Sequence, residues 1–267
     1  MGRPDAGEMI RLVTRRKEIL RTVGTEGLGK RELVEKLSVS RSTVDRGVRE
    51  LESAGLLTRS ADGYRRTLFG ELLLTEYDSF ISTIDVLLPG HGLLSDLPPQ
   101  FDLDPTVLKD ARIVTSSQYA PHQPISELCS LLAEARWIQT VFPAVFPQIL
   151  NLWSTLGDQG MIRADIVLTE PVVGELVSAH TETLQALLRE PRLSLHQVDV
   201  EPTYGLVVAE QEESTATAGL VVMDDRGGAR AFVETEAESA VSWVRERIDH
   251  HLMQSTPLSP QSTADRG

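Results

Sequence analysis

Apolar residues recur through the first third of the chain with the three-and-four spacing of helices. Met9, Ile10, Val13, Ile19, Leu20 and Val23 mark one stripe and predict a helix over residues 8–23. The glycine-rich run Gly24-Thr25-Glu26-Gly27-Leu28-Gly29 interrupts it, and Leu33, Val34 and Leu37 resume the pattern as a short helix over residues 30–37. After the turn Ser38-Val39-Ser40, Val44, Val48 and Leu51 fall at i, i+4 and i+7 and define a buried stripe. Ser40 suits the N-cap, its oxygen accepting from the backbone N–H of Ser42 or Thr43. Gly47 costs up to about 1 kcal/mol in propensity relative to alanine, which points to a close helix crossing. Ala54-Gly55 ends this helix, with Gly55 at the left-handed C′ position. Two strand-like runs, residues 56–59 and 64–68, then flank Ser60-Ala61-Asp62-Gly63, and Asp-Gly between such runs signals a hairpin.

Leu68, Leu72, Leu73, Tyr77, Phe80, Ile81, Ile84, Leu87 and Leu88 extend helical spacing over residues 67–88, about six turns. Such a helix serves either as a connector and dimer seam or as an element packed within its own chain. Pro89-Gly90-His91-Gly92, Pro98-Pro99 and Pro105 follow and place a domain boundary between residues 89 and 110. Beyond it the pattern changes to strands over 111–115, 137–141, 163–168, 193–198, 206–209, 218–223 and 231–234, with helices over 125–135, 144–156, 171–188 and 236–253. The early strand-helix alternation predicts parallel pairing, and the later run of strands predicts antiparallel additions. The expected fold is therefore α+β or α/β. A winged helix-turn-helix over residues 8–70 is followed by a connector helix and linker over 71–110, a mixed α/β effector or sensor domain over 111–253, and a disordered Ser/Thr/Pro-rich tail over 254–267.

Charge sharpens this division. The chain has 26 basic and 39 acidic side chains, a net charge of −13. Residues 1–70 hold 15 of the basic and 10 of the acidic groups, whereas residues 71–267 hold 11 and 29. A basic module on an acidic body predicts that the first seventy residues meet a polyanion. Arg41, Ser42, Thr43 and Arg46, beginning with the N-cap Ser40, occupy the face of the third helix opposite its apolar stripe and are the base-reading candidates, with Arg49 suited to a phosphate. Arg59, Tyr64, Arg65 and Arg66 give the wing a polyanion-seeking character. Arg11, Arg15, Arg16, Lys17 and Arg21 form a basic face on the first helix. Four lysines beside 22 arginines suggest a salt-adapted, halophilic proteome, in which counterion release contributes weakly to DNA binding.

The N-terminus lacks a secretory pattern, no apolar run is long enough to span a bilayer, and a single cysteine, Cys129, fits a reducing cytoplasm as buried filler. No phosphate-cradling glycine loop, His-Glu-x-x-His, Gly-x-Ser-x-Gly or cysteine cluster occurs, so no cofactor, metal or catalytic residue is assigned. The most site-like stretch is Thr115–Pro124, a loop after a strand and before a helix, where Ser116, Ser117 and His122, together with Tyr204, are candidates to bind a small polar ligand.

Asp102-Leu103-Asp104-Pro105, Leu108-Lys109-Asp110-Ala111-Arg112-Ile113, Pro121-His122-Gln123-Pro124-Ile125, Tyr204-Gly205-Leu206-Val207-Val208 and Val241-Ser242-Trp243, with the N-terminal segment, resemble the haloarchaeal winged-helix regulators that carry the effector-type middle domain of archaeal methanogenesis regulatory proteins. The resemblance implies a transcriptional regulator, dimeric on double-stranded DNA, whose C-terminal domain senses a small molecule or mediates assembly. Such domains are similar in outline to phospholipase-D-like sensor domains, yet the His-x-Lys of that chemistry occurs nowhere in this sequence. The alternative is an α/β enzyme, phospholipase-D-like or acting on nucleic acid, with an accessory winged helix.

Overall fold

The structure, a computed structural model, describes residues 5–158, 162–199, 202, 204–211, 215–224 and 226–260. It divides into two compact units, Met1–Asp85 and Val86–Gly267.

The first unit contains α1 (Ala6–Thr22), α2 (Lys30–Leu37), α3 (Arg41–Ser53), the strands β1 (Leu57–Ser60) and β2 (Gly63–Arg66), and α4 (Leu68–Leu87). The α1–α3 stripes meet in one core around Val13, Leu20, Leu33, Val44, Val48 and Leu51, each fully buried. Local sequence fixes the ends of these helices. Asp5 caps α1 by accepting from the N–H of Glu8, Glu32 returns to the N–H of Gly29 at 2.9 Å, and Ser40 Oγ accepts from the N–H of Thr43 at 3.2 Å. Gly55, at φ 74°, turns the chain out of α3 in the left-handed conformation.

The hairpin pairs Leu57 with Arg66 through Ser60 with Gly63. Leu28 extends it as a bridge, its N–H donating to Tyr64 O at 2.8 Å and its carbonyl accepting from Tyr64 N–H at 3.0 Å. Gly63 allows that approach, because a Cβ there would lie 2.4 Å from Leu28 O and its φ is 130°.

Helix α4 packs on this unit through Leu74 and Tyr77, and Arg21 of α1 holds Asp78 at 2.5 Å. The same helix exposes Leu68, Phe69, Leu72 and Phe80. It also brings Glu71, Glu76, Asp78 and Asp85 into the first unit, whose 15 basic groups are thereby met by 14 acidic ones. The basic excess belongs to residues 1–70 alone.

The second unit is built on an eight-stranded mixed sheet. Its strands are β3 (Arg112–Thr115), β4 (Trp137–Phe142), β5 (Arg163–Thr169), β6 (Leu193–Val198), β7 (Tyr204–Glu210), β8 (Ala216–Met223), β9 (Ala229–Thr235) and β10 (Thr256–Pro257), in the order β10-β6-β5-β4-β7-β8-β9-β3. Parallel pairing is confined to β4–β5–β6, and the other pairings are antiparallel. One difference from the expected alternation matters for function. Strand β3 does not join β4 but enters as the edge strand, antiparallel to β9.

The helices α5 (His91–Ser95), α6 (Gln123–Glu134), α7 (Pro147–Asp158), α8 (Glu170–Ala179), α9 (Thr181–Arg189) and α10 (Glu238–Gln254) complete the unit. One core lies between the sheet and α6–α9, with Leu128, Leu132, Ile138 and Leu176 fully buried. Cys129 is half-buried against it, and burial pushes its thiol pKa up. The second core joins the other sheet face to α10 and to Leu93, Val107 and Leu108, so residues 86–110, expected as linker, are part of this unit.

The single helix expected over residues 171–188 is instead two, broken at His180, whose backbone leaves helical geometry at φ −135° and ψ 36°. Of the expected tail, Gln254 closes α10 and Thr256–Pro257 pairs with Gln197 and His196 of β6. Residues 261–267 of that tail lie outside the described residues.

Candidate nucleic-acid interface

Burying Val44, Gly47, Val48 and Leu51 leaves Arg41, Ser42, Thr43, Arg46 and Arg49 exposed on the opposite side of α3. Residues near a helix N-terminus reach furthest into a groove. Here the end is held firm, since Ser40 Oγ lies 2.9 Å from Ser42 Oγ and 2.8 Å from Thr43 Oγ1, besides accepting the Thr43 N–H. Arg41 has no ion-pair partner among the described residues. Gly47 is where α1 crosses: a Cβ there would sit 2.3 Å from Ile19 Cδ1.

Two carboxylates order the basic groups around this face. Glu50 accepts from Arg16 Nε of α1 at 2.9 Å and from Arg46 Nε at 3.0 Å, and Arg15 lies 3.5 Å away. These guanidiniums, Arg16 first, depress the Glu50 pKa to about 2. Asp45 holds Lys30 Nζ of α2 at 2.7 Å, which lowers the carboxyl pKa and raises that of the amine. The Arg46–Glu50 contact is an i,i+4 pair that the sequence spacing allows. The contact with Arg16 depends on helix crossing and leaves no such signal.

On the hairpin the expected residues separate. Arg65 is exposed, and Arg59 is exposed while paired with Glu52 at 3.0 Å. Tyr64 belongs to the core: it is 8% exposed, with Arg59 and Lys30 placed over its ring at 5.8 and 5.6 Å. Its β2 position faces inward, into the core of the first unit. Arg66 is also withdrawn, with a side chain 16% exposed and Nε 3.1 Å from Glu71 at the start of α4.

Residues 121–254 match the family model of the methanogenesis regulatory protein FilR1, middle domain. The chain belongs to the FilR1 middle-domain family. That match runs from the turn before α6 to the last residue of α10. Residues 5–87 match a second family model, the HVO_A0261 N-terminal domain, and so take in α1–α4 with the hairpin. A curated relative, the Methanogenesis regulatory protein FilR1 of Methanothrix harundinacea (strain 6Ac), is 24% identical over 229 residues, which cover 81% of this chain and 50% of the relative. The chain thus spans about half the length of the curated relative it matches.

Similar solved structures include TrmBL2, Nuc and NucT, each at a TM-score below 0.5. TrmBL2, an archaeal chromatin protein, is 14% identical with a TM-score of 0.42, over 95% of this chain and 100% of its own. Nuc from Salmonella typhimurium, a phospholipase D family member, is 10% identical with a TM-score of 0.44, over 56% and 99%. NucT from Helicobacter pylori is 8% identical with a TM-score of 0.43, over 55% and 98%.

Within the second unit, the four ligand candidates do not converge. Ser116 lines a cleft of about 660 Å³ with Asp96, Asp224 and Arg230, and its N–H donates to Arg230 O at 2.8 Å. Ser117 is occupied in its own turn, where its Oγ accepts from the Ala120 N–H at 3.1 Å. His122 is exposed at the start of α6. Tyr204 is buried against Phe101, ring centroids 5.2 Å apart, and burial raises its pKa. Strand pairing sets Thr115, Ala231, Val222 and Tyr204 in one row. Three strand spacings therefore separate the Thr115 loop from Tyr204, about 14 Å. The cause is the edge placement of β3.

Proposed function

We propose that this chain is a sequence-specific, DNA-binding transcriptional regulator. In this reading α1–α3 and the β1–β2 hairpin form a winged helix-turn-helix, α3 enters the major groove, and the second unit serves as a small-molecule-sensing or assembly domain. The observation that carries it is the α3 face: Arg41, Ser42, Thr43, Arg46 and Arg49 stand exposed beyond a capped N-terminus while the opposite stripe is fully buried. Family membership and the name of the curated relative, a regulatory protein, support the same reading.

Ser40, Arg41, Ser42, Thr43 and Arg46 are proposed to read bases, and Arg49, Arg59 and Arg65 to contact phosphates. Tyr64 and Arg66 instead shape the wing from within. The protein is proposed to act in the cytoplasm as a homodimer joined along the exposed apolar residues of α4, without a catalytic role of its own. Its arginine-rich, acidic composition is read as salt adaptation. Among the described residues no helix is long and apolar enough to cross a membrane.

Footprinting on genomic promoter fragments at several salt concentrations tests this function. A protected sequence that is lost when Arg41 and Arg46 are replaced by alanine supports it, and the absence of any protected sequence overturns it.

A further inference from the structure

Arg41, Arg46 and Arg49 line the exposed face of α3, and the structure holds them unequally. Arg41 has no ion-pair partner among the described residues. Arg49 Nε donates to the backbone carbonyl of Asp45 at 3.1 Å. Arg46 Nε donates to the Glu50 carboxylate at 3.0 Å, a charge-assisted bond and the strongest restraint of the three.

A surface pair of this kind orients little when both partners are mobile. Glu50, however, is anchored from behind. Its other oxygen accepts from Arg16 Nε of α1 at 2.9 Å, and the Arg16 side chain is only 12% exposed. Gly47 leaves room for that side chain in the helix crossing, since a Cβ there would lie 3.3 Å from Arg16 Cδ and 3.5 Å from its Nε. With its pKa held near 2 by these guanidiniums, Glu50 is ionised at neutral pH. A continuous run of contacts therefore leads from α1 through Glu50 to Arg46.

Glu50 takes only the Nε edge of Arg46. The two terminal nitrogens, Nη1 and Nη2, make no hydrogen bond among the described residues, and the side chain is 75% exposed. Those nitrogens form the fork that donates end-on to O6 and N7 of guanine, the one base that offers two adjacent acceptors in the major groove. A guanidinium already turned outward loses less freedom when it meets that edge.

We infer that Glu50 is a positioning residue for DNA recognition: by holding Nε of Arg46 it presents Nη1 and Nη2 to a base edge, and so makes one guanine obligatory in the recognised sequence. This rests on the reading of α3 as the helix that enters the major groove, and adds the base read and the residue that enforces it. The same carboxylate is repelled by phosphates, which weakens binding to any duplex. Removing its charge therefore has opposite effects on selectivity and on general affinity, a pattern that a merely structural role would not produce.

The test is a randomised-duplex selection with the full chain at fixed salt. Binding is then measured to the selected duplex with each guanine replaced in turn by 7-deazaguanine, which lacks the N7 acceptor. Wild type should lose about tenfold in affinity at one guanine, and Glu50→Gln should reduce that loss to about threefold. The Glu50→Gln variant, shown by circular dichroism to be folded, should bind a non-operator duplex at least as tightly as wild type. Arg46→Ala should abolish discrimination at the same position, whereas Arg41→Ala should leave it unchanged. Full discrimination in Glu50→Gln, an equal loss of affinity for every duplex, or dependence of that guanine on Arg41 would overturn the assignment. A wild type without any motif would overturn the reading of α3 and this inference with it; a motif that Glu50→Gln leaves intact overturns this inference alone.

Discussion

Glu50 on α3 and Arg16 on α1 are joined by a hydrogen-bonded ion pair of 2.9 Å, the polar counterpart of the contact between Gly47 and Ile19 in the same crossing. The pair ties α3 to α1 beside their apolar core. Because the other Glu50 oxygen holds Arg46, it also positions one of the proposed base-reading groups.

This arrangement makes a pH-dependent stability prediction. The Glu50 pKa lies near 2 in the folded protein, below the ordinary 4.5, so its contribution is present above pH 4.5 and is lost as the pH falls from there toward 2. For a partly exposed ion-pair network the contribution is about 1 kcal/mol. Glu50→Gln should lower stability by that amount at pH 7 and show a smaller loss on acidification than the wild type, as read by chemical denaturation between pH 2 and 7.

Gly47→Ala should destabilise the first unit although alanine favours helices. The added methyl would fall 2.3 Å from Ile19 Cδ1, and overpacking of this kind costs about 1–3 kcal/mol. Thermal unfolding checks this, and Ile19→Val in the same chain should recover part of the loss.

Two neighbours on β2 should behave differently. Tyr64→Ala empties a core position and should cost about 3 kcal/mol of stability, in the range of other large aromatic truncations. Arg65→Ala should leave unfolding unchanged while weakening DNA binding uniformly across sequences, with a shallower salt dependence. Parallel denaturation and salt-titrated binding assays separate the two.

Helix α4 exposes Phe69, Leu72 and Phe80, the last by 58%. If a second copy covers them, Phe80→Glu should yield monomers in sedimentation equilibrium and reduce affinity for a two-half-site operator. It should leave stability within about 0.5 kcal/mol, as for an exposed position.

Local signals carried much of this structure. The six residues of β6 and the eight of α2 follow from alternation and helical spacing, and Gly47 in a helix correctly indicated a crossing. The break at His180 left no Gly or Pro to mark it. Non-local pairing was harder to see. The Thr115 loop looked like a crevice after a parallel strand, but the chain returns through β7, β8 and β9 before β3 finds its partner, which carries Ser116 away from Tyr204. Likewise Tyr64 and Arg66 are surface residues by type, and it is tertiary contact, with the first unit's core for Tyr64 and with Glu71 for Arg66, that withdraws them.

The most direct test of the central claim is a comparison of sequence preference between wild type and an Arg41→Ala/Arg46→Ala variant in a randomised-duplex selection at fixed salt. A defined motif for the wild type, relaxed at particular base pairs in the variant at a cost of about 1–3 kcal/mol per lost arginine–guanine contact, is the predicted result. No motif in the wild type, or the same motif at equal strength in both proteins, would contradict the assignment of α3 as the element that reads DNA.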